Sequence, residues 1–410
     1  MTLQMRPVTM EEWTAFSRLT ETAFGGKLTD QEIERYRATF EPERSLATFD
    51  GGRIVATAGA ISLELTLPGL VRLPVAGVAY VTVLPTYRRR GLLSQLMRRQ
   101  LADVRARGEA IAVLTASESA IYERFGYGVA TSRLHVEIER HHAQLARAWQ
   151  LEGELRLVEQ AEALPALIAL YDEWRLRQPG ALSRTPTFWE TELLAPVTAD
   201  SGARFFVLYV GASGRVEGAA YYRPQRQSMD NLSQTTLLVE EVLAVTSAAR
   251  AALWRYLLSL DLVAKVRAVN RPTDEPLRWM LADPRRLRVT ALNDDLWLRP
   301  IDIPMALAAR RYADAGRLVL AVEDAFLPEN SGSYTLECGQ DGAQCRRGDG
   351  SDGAADLALG VADLGAVFLG GVRFSTLAAA GRVEERSPGA LARADALFAA
   401  EAVPYSGTPF

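Results

Sequence analysis

A strand, an arginine-rich turn holding one glycine, and an amphipathic helix follow one another from Val75 to Val104, and no other run constrains this chain as much. Val75–Val83 is apolar, rich in β-branched residues, and broken by Pro85. Leu92, Leu93, Leu96, Met97, Leu101 and Val104 recur at helical spacing, so one face of that segment must be buried. Between them lies Arg88-Arg89-Arg90-Gly91. Successive backbone N–H groups in such a turn, with the positive end of the following helix dipole, form an anion site. Gly91 lets the backbone approach a pyrophosphate closely, and the arginines add attraction. Three arginines on a turn could also be a solvated basic patch. The strand before and the helix after favour the phosphate reading.

The rest of the chain is organised around that unit. At roughly 150 residues per domain, 410 residues make two or three domains. A net charge of −4 argues against a broad footprint on nucleic acid. No stretch is long and apolar enough to span a bilayer, and the first residues turn acidic where a signal peptide needs an apolar run. Two cysteines, Cys338 and Cys345, are too few for a disulfide framework or a four-thiolate zinc site, and the three histidines all fall within 135–142. A cytoplasmic, multi-domain protein without a metal site is expected.

Helices are expected over Glu11–Phe24 and, capped by Thr29-Asp30, over Asp30–Phe40; strands over Ser45–Phe49, Ile54–Ser62 and Ile111–Thr115; and a one-turn helix near Ser119–Arg124. The pattern then starts again. Thr235–Leu260 lies over Val75–Gln100 at a shift of 160 residues, with strand, turn and helix in the same order. Ala248-Ala249-Arg250-Ala251 stands where the first copy has Arg88-Arg89-Arg90-Gly91; the overlay is either a chance match or a duplicated domain whose second copy lost its ligand, and the shared order favours duplication. From about Trp297 the texture changes, with helix Met305–Tyr312, strands Leu318–Val322 and Tyr334–Cys338, an exposed Gly/Asp-rich stretch Gly339–Gly353, and a helix opened by Ser387-Pro388. The boundaries drawn are 1–142, 143–296 and 297–410.

The turn resembles motif A of the GNAT N-acetyltransferase superfamily, Arg/Gln-x-x-Gly-x-Gly/Ala, with Leu93 departing from the small residue. Combined with Ala116-Ser117-Glu118 and Ile121-Tyr122-Glu123-Arg124-Phe125-Gly126-Tyr127-Gly128, it resembles the Eis family of acetyltransferases over essentially the whole chain. The resemblance implies an α/β (α+β) architecture: two tandem GNAT-like mixed-sheet domains, the second degenerate, followed by a sterol-carrier-protein-like domain. It implies acetyl-CoA as co-substrate and direct acetyl transfer to an amine. Val81 and Val83 amides would bind the pantetheine arm; Arg88, Arg89, Gly91 and Leu92 would hold the pyrophosphate. Ser117 would bind cofactor or cap the short helix. Tyr122 matches the general acid, although by its residues alone it reads more readily as a packing tyrosine in a cluster with Phe125 and Tyr127. The Phe410 carboxylate matches the general base, the other reading being a frayed tail.

Phe24, Tyr36, Tyr80 and Trp189, with Trp13, are candidate aromatic walls for the acceptor or, equally, core residues. Pro409 and Gly26 stand where better-known members carry acids, which weakens the case for polycationic aminoglycosides. The family's usual assembly is a hexamer. The expected function is acetyl transfer to amines of small molecules such as aminoglycosides or polyamines. The alternatives are acetylation of lysine on proteins or peptides, and a non-catalytic acyl-CoA or lipid-binding regulator.

Overall fold

The structure, a computed structural model, describes residues 3–149, 151–195, 202–225, 228–229, 232–233, 235–348 and 354–410. Its first unit contains β1 (Leu3–Arg6), α1 (Trp13–Phe24), α2 (Asp30–Tyr36), β2 (Ser45–Asp50), β3 (Arg53–Thr66), β4 (Arg72–Val83), α3 (Leu92–Ala106), β5 (Ile111–Leu114), α4 (Ser119–Tyr122) and β6 (Gly128–Val129). Thr29 caps α2 by accepting from the Glu32 amide. Helix α3 buries Leu92, Leu96, Met97, Leu101 and Val104, each removal of such a side chain from water being worth roughly 1.5–3 kcal/mol. Leu93, expected on that face, instead lines a cavity.

The sheet runs β1-β2-β3-β4-β5, then Trp297–Pro300, then β6. Ser132–Glu139, which follows β6 in the chain, leaves this sheet and pairs in the second one, between Val263–Pro272 and Arg288–Asp294. The two units thus exchange strands, and neither sheet is complete from a single stretch of chain.

Two irregularities in the first sheet shape the site. The β3–β4 register slips between Thr57, opposite Thr82, and Gly59, opposite Ala79, leaving Tyr80 in a left-handed conformation at φ 56°. Strands β4 and β5 are parallel neighbours only at Ala76–Ala112 and Gly77–Val113. Beyond Gly77 they diverge, so among the described residues Val78–Val83 has no strand partner on the β5 side.

The second sheet repeats both features at the shift of 160 residues. Thr235–Ala244 pairs in parallel with Val263–Pro272 only as far as Val239. Its register with Val216–Gln225 slips at Glu240, the position that overlies Tyr80. The turn is what differs. Helix Ser247–Ser259 starts directly behind Thr246, whose side chain accepts from the Ala249 amide. Positions 248–251 are therefore already helical, with Ala249 and Ala251 buried, where the first unit has its arginine turn.

The third region has a five-stranded sheet, ordered Gly342–Arg347, Gly332–Gly339, Gly316–Glu323, Leu357–Gly360, Val383–Glu385. The stretch read as an exposed Gly/Asp loop from Gly339 holds a strand instead. Gly339 pairs with Gly342 across a two-residue turn, and the alternation that would have announced the strand is masked by its short, polar side chains. Residues 349–353 of that stretch lie outside the described ones. The last helix, Ala390–Phe398, starts at a left-handed Gly389 rather than at Ser387-Pro388, because the Ser387 amide is tied to the Asp356 carbonyl. Cys338 and Cys345 are free thiols, pushed up to about 11 and about 12 by burial.

This region shares one apolar core with the first sheet, where Leu63, Val75 and Val113 meet Leu320, Leu364 and Phe368. A fully buried ion pair, Arg299 to Asp324 at 2.6 Å, joins the two, and Arg299 also donates to the Phe125 carbonyl in the turn behind α4.

Candidate active site

Where β4 and β5 part, the walls of a cavity of about 430 Å³ come from three segments: β4 at Val81–Val83, the turn and helix start from Tyr87 to Ser94, and the loop from Ser117 to Arg124. Phe24 stands at its rim, 58% exposed. The cavity thus gathers Val81, Val83, Arg88, Arg89, Gly91, Leu92, Ser117 and Tyr122, contributed by a strand edge, a turn and a second loop distant in sequence.

The turn earns its shape from two left-handed residues, Arg89 at φ 62° and Gly91 at φ 77°. A Cβ on Gly91 would meet nothing closer than the Gln95 amide nitrogen at 3.8 Å, so glycine is required there by conformation rather than by space. Successive N–H groups of this turn open onto the N-terminus of the 15-residue α3 and form a concave, electropositive seat. Arg88 and Arg89 are exposed and form no ion pair with an acid among the described residues, so their charge is available to a bound anion. Arg90 does otherwise: it stacks on Tyr87 at 4.8 Å and donates to the Thr86 carbonyl. Such a seat suits a pyrophosphate, and the edge of β4 that lacks a strand partner suits an extended arm bearing amides.

Tyr122 is buried, 6% exposed, with its ring edge-on to Tyr127 at 6.1 Å. Burial raises its pKa above the ordinary tyrosine value, and a hydrogen bond with the Ser117 side chain partly opposes the rise. The phenol is consequently protonated at neutral pH, and Tyr122 belongs to the cavity wall. Ser117 does not cap α4; the capping position is Glu118, whose side chain makes no cap hydrogen bond.

Phe410 arrives from the far end of the chain. Its carbonyl oxygen accepts from the Thr115 hydroxyl at 2.9 Å, one residue beyond β5 and two before Ser117. Its ring lies over Gly77, where a Cβ would come within 3.1 Å of Phe410 Cε2 and 2.5 Å of Leu63 Cδ1. The tail leading to it is packed, with Tyr405, Ser406 and Thr408 buried.

The remaining candidate walls do not line the cavity. Trp13 and Tyr80 join Phe16 and Phe40 in a buried aromatic cluster beneath α1, with centroid spacings of 4.4–6.4 Å. Tyr36 packs half-buried on the same core. Trp189 is fully buried in the second unit, edge-on to Tyr171 and beneath the Arg184 guanidinium at 4.8 Å. Conversely, the sequence did not single out Arg124 or Glu118 as cavity residues, although both stand beside Tyr122 in the chain. Nor did it reveal that Glu21 folds over Gly26: its Oε2 lies 2.6 Å from where a Cβ on Gly26 would be, so a carboxylate lies beside Gly26, although neither residue lines the cavity. Among the described residues no three His, Cys, Asp or Glu side chains gather as a metal site would require.

Comparison with known proteins fits this geometry. The family described as "Acetyltransferase (GNAT) domain" matches residues 4–130 and, in a second form, residues 180–300; "Sterol carrier protein domain" matches residues 303–407. The chain is 39% identical to an uncharacterized N-acetyltransferase of Streptomyces coelicolor, over 99% of both proteins. It is 34% identical to N-acetyltransferase Eis of Mycobacterium tuberculosis, over 98% of both. Among solved structures, Eis1 from Mycobacterium abscessus superposes with a TM-score of 0.87 at 34% identity, covering 99% of this chain and 100% of that one.

Proposed function

The chain belongs to the Eis family of GNAT N-acetyltransferases, and from that premise we propose that it transfers acetyl from acetyl-CoA directly to an amine of a small molecule, with Tyr122 as general acid and the Phe410 carboxylate as general base. The observation that carries this reading is one short stretch of chain: Thr115 anchors Phe410, and seven residues later Tyr122, the last residue of α4, lines the cavity. This closeness in the chain of the Phe410 anchor and Tyr122 supports pairing the two as base and acid.

Arg88, Arg89 and the N–H groups around Gly91 hold the pyrophosphate of the co-substrate, while Leu92 and Leu93 line the wall beside it. The free edge of β4 at Val81–Val83 offers amides to the pantetheine arm, as an added strand would be held, and polarises the thioester carbonyl. The acceptor arrives as an ammonium, and the Phe410 carboxylate takes its proton directly or through a water. The neutral amine attacks the thioester carbon. As the C–S bond breaks, Tyr122 gives its proton to the departing thiolate, whose own pKa is about 8.5, and the remaining extra proton of the acylated nitrogen returns to the Tyr122 phenolate, directly or through a water, leaving the neutral amide and the free thiol.

For the acceptor we propose a cationic amine such as a polyamine or aminoglycoside. Glu21 and Glu118 support this choice, since they place acids beside Gly26 and in the cavity wall even though Pro409 and Gly26 carry none. The enzyme is read as cytoplasmic and self-assembling, with a hexamer as the family's form. Trp279, Val289 and Leu292 support self-association: they are 76%, 51% and 65% exposed, the latter two on the edge strand Arg288–Asp294 of the second sheet.

The decisive experiment measures CoA thiol release from acetyl-CoA with a panel of polyamines, aminoglycosides and lysine peptides, using the chain ending at Phe410, the chain with a few residues added after it, and the chain lacking Phe410. Both altered chains are expected to bind acetyl-CoA normally and to lose turnover, the deletion because the terminus falls one residue, about 3.3 Å, short. Full activity with the added residues would remove Phe410 as the base. Release with peptides alone would make the enzyme a lysine acetyltransferase.

A further inference from the structure

The second unit keeps a cavity where the first unit has its cofactor cavity, and of nearly the same size, about 420 Å³. Glu241, Val242, Leu243, Ser247 and Arg250 line it, and at the 160-residue shift they overlie Val81, Thr82, Val83, Tyr87 and Arg90. The helical run 248–251 has abolished the phosphate turn, so this slot has no seat for a diphosphate. The chain's own tail runs along its border, where Ala402 and Tyr405 belong to the lining. Tyr405 forms part of its wall, edge-on to Trp174 at 6.1 Å, with its hydroxyl donating to the Asn270 carbonyl and its amide to the Pro179 carbonyl.

Beyond Tyr405 the tail meets one cation. Arg184, 4% exposed, donates to the Gly407 carbonyl at 2.8 Å and to the Thr408 hydroxyl at 3.0 Å. Its two remaining contacts go to both carboxylate oxygens of Glu241, at 2.9 and 3.0 Å, and its plane rests on the Tyr171 ring at 3.9 Å. Tyr171 in turn shares a hydrogen bond with the Thr408 hydroxyl, and Tyr221 donates to Glu241. Glu241 stands at the position of Val81, the strand residue that faces the co-substrate in the first unit. Only Pro409 separates this clamp from Phe410, and its fixed φ leaves the last peptide little freedom.

A buried ion pair is poor evidence for stability, because desolvation offsets most of its attraction; registry is its best-attested use. We propose that the degenerate unit has converted its acyl-CoA-equivalent slot into the seat of the C-terminal tail, and that Arg184, held by Glu241, is the positioning residue that sets the Phe410 carboxylate at the acceptor amine. This rests on the function proposed above. A lysine at 184 would keep the charge but not the fork: three nitrogens spread over a plane serve Glu241, Gly407 and Thr408 at once, and a single ammonium cannot.

The test compares the wild type with Arg184→Lys and with the double variant Arg184→Met/Glu241→Gln, which leaves no unpaired buried charge and still offers Tyr221 an acceptor. Hydrogen exchange in the peptide 403–410 is expected to quicken at least about tenfold in both variants, the equivalent of one lost hydrogen bond to a charged group, while other peptides are unchanged. Turnover at about pH 7 should fall about 10- to 100-fold with the KM for acetyl-CoA within twofold of wild type, as loss of a positioned base requires. The deficit should shrink as pH approaches the pKa of the acceptor, about 10 for an alkylamine, because an amine that arrives neutral needs no base. A folded double variant with unchanged tail exchange overturns the proposal, and so does a turnover deficit that is the same at every pH. If the wild type releases CoA with no amine at all, the proposed function fails, while the exchange measurement still decides whether Arg184 seats the tail.

Discussion

Replacing Tyr122 by phenylalanine isolates one proton. The ring is 6% exposed and packed among Met97, Leu114, Phe125 and Tyr127, contacts that phenylalanine reproduces. What disappears is a hydroxyl partnered by Ser117, so stability should change by no more than about 1 kcal/mol. Acetyl-CoA affinity should be unchanged, since the phosphate seat and the β4 edge are untouched. General-acid assistance is worth about 10²- to 10⁴-fold, or roughly 3–5 kcal/mol of barrier, and kcat should fall by at least the lower figure. The pH dependence carries a second check. Burial, the larger influence, raises the phenol pKa above the ordinary value of about 10, so the wild-type kcat should show no alkaline loss from this group through neutral and mildly alkaline pH. Ser117→Ala removes the opposing hydrogen bond and moves the pKa further up, so its turnover at neutral pH should stay within a few-fold of wild type. Thiol release under saturating acetyl-CoA measures all three proteins. Unchanged turnover in Tyr122→Phe, with the ring still packed, would show that the thiolate finds its proton elsewhere.

Calorimetry should find one acetyl-CoA per chain, because the helix at 248–251 replaces the turn of the second unit, and two per chain would contradict that reading. Gly91→Ala should weaken acetyl-CoA binding by about tenfold through the cost of about 1–2 kcal/mol for a left-handed alanine, with little steric penalty, which a titration would resolve. Glu21→Gln should raise the KM for a polyamine while leaving that for a monoamine nearly unchanged, as expected if its carboxylate serves the corner at Gly26. Asp324→Ala should destabilise the protein by about 3–5 kcal/mol, because it strands the fully buried Arg299; thermal unfolding reads this, and a change below 1 kcal/mol would mean that water or relaxation rescues the arginine.

Read alone, the sequence disclosed the strand, turn and helix that wall the cavity, because those depend on short-range order. A strand, a turn needing left-handed residues and an amphipathic helix are specified by consecutive residues. Val81, Val83, Arg88, Arg89, Gly91, Leu92, Ser117 and Tyr122 therefore reached one cavity as the motif implied. The repeat at 160 residues was legible for the same reason, whereas the bulge shared by Tyr80 and Glu240 emerged only from strand pairing. Aromatic side chains were not legible. A tryptophan or tyrosine is equally at home in a core or on a pocket wall, and only packing put Trp13, Tyr80 and Trp189 in cores while leaving Phe24 at the rim. The strand exchange, with Ser132–Glu139 in one sheet and Trp297–Pro300 in the other, was equally hidden, since strand partners are chosen by long-range register and each segment's own pattern is compatible with either sheet. The path of the tail belongs to the same class. Nothing local to Val403–Phe410 names its neighbours; Arg184, Glu241 and Tyr171 come from distant segments, and Thr115 can meet Phe410 only once three regions have closed on one another.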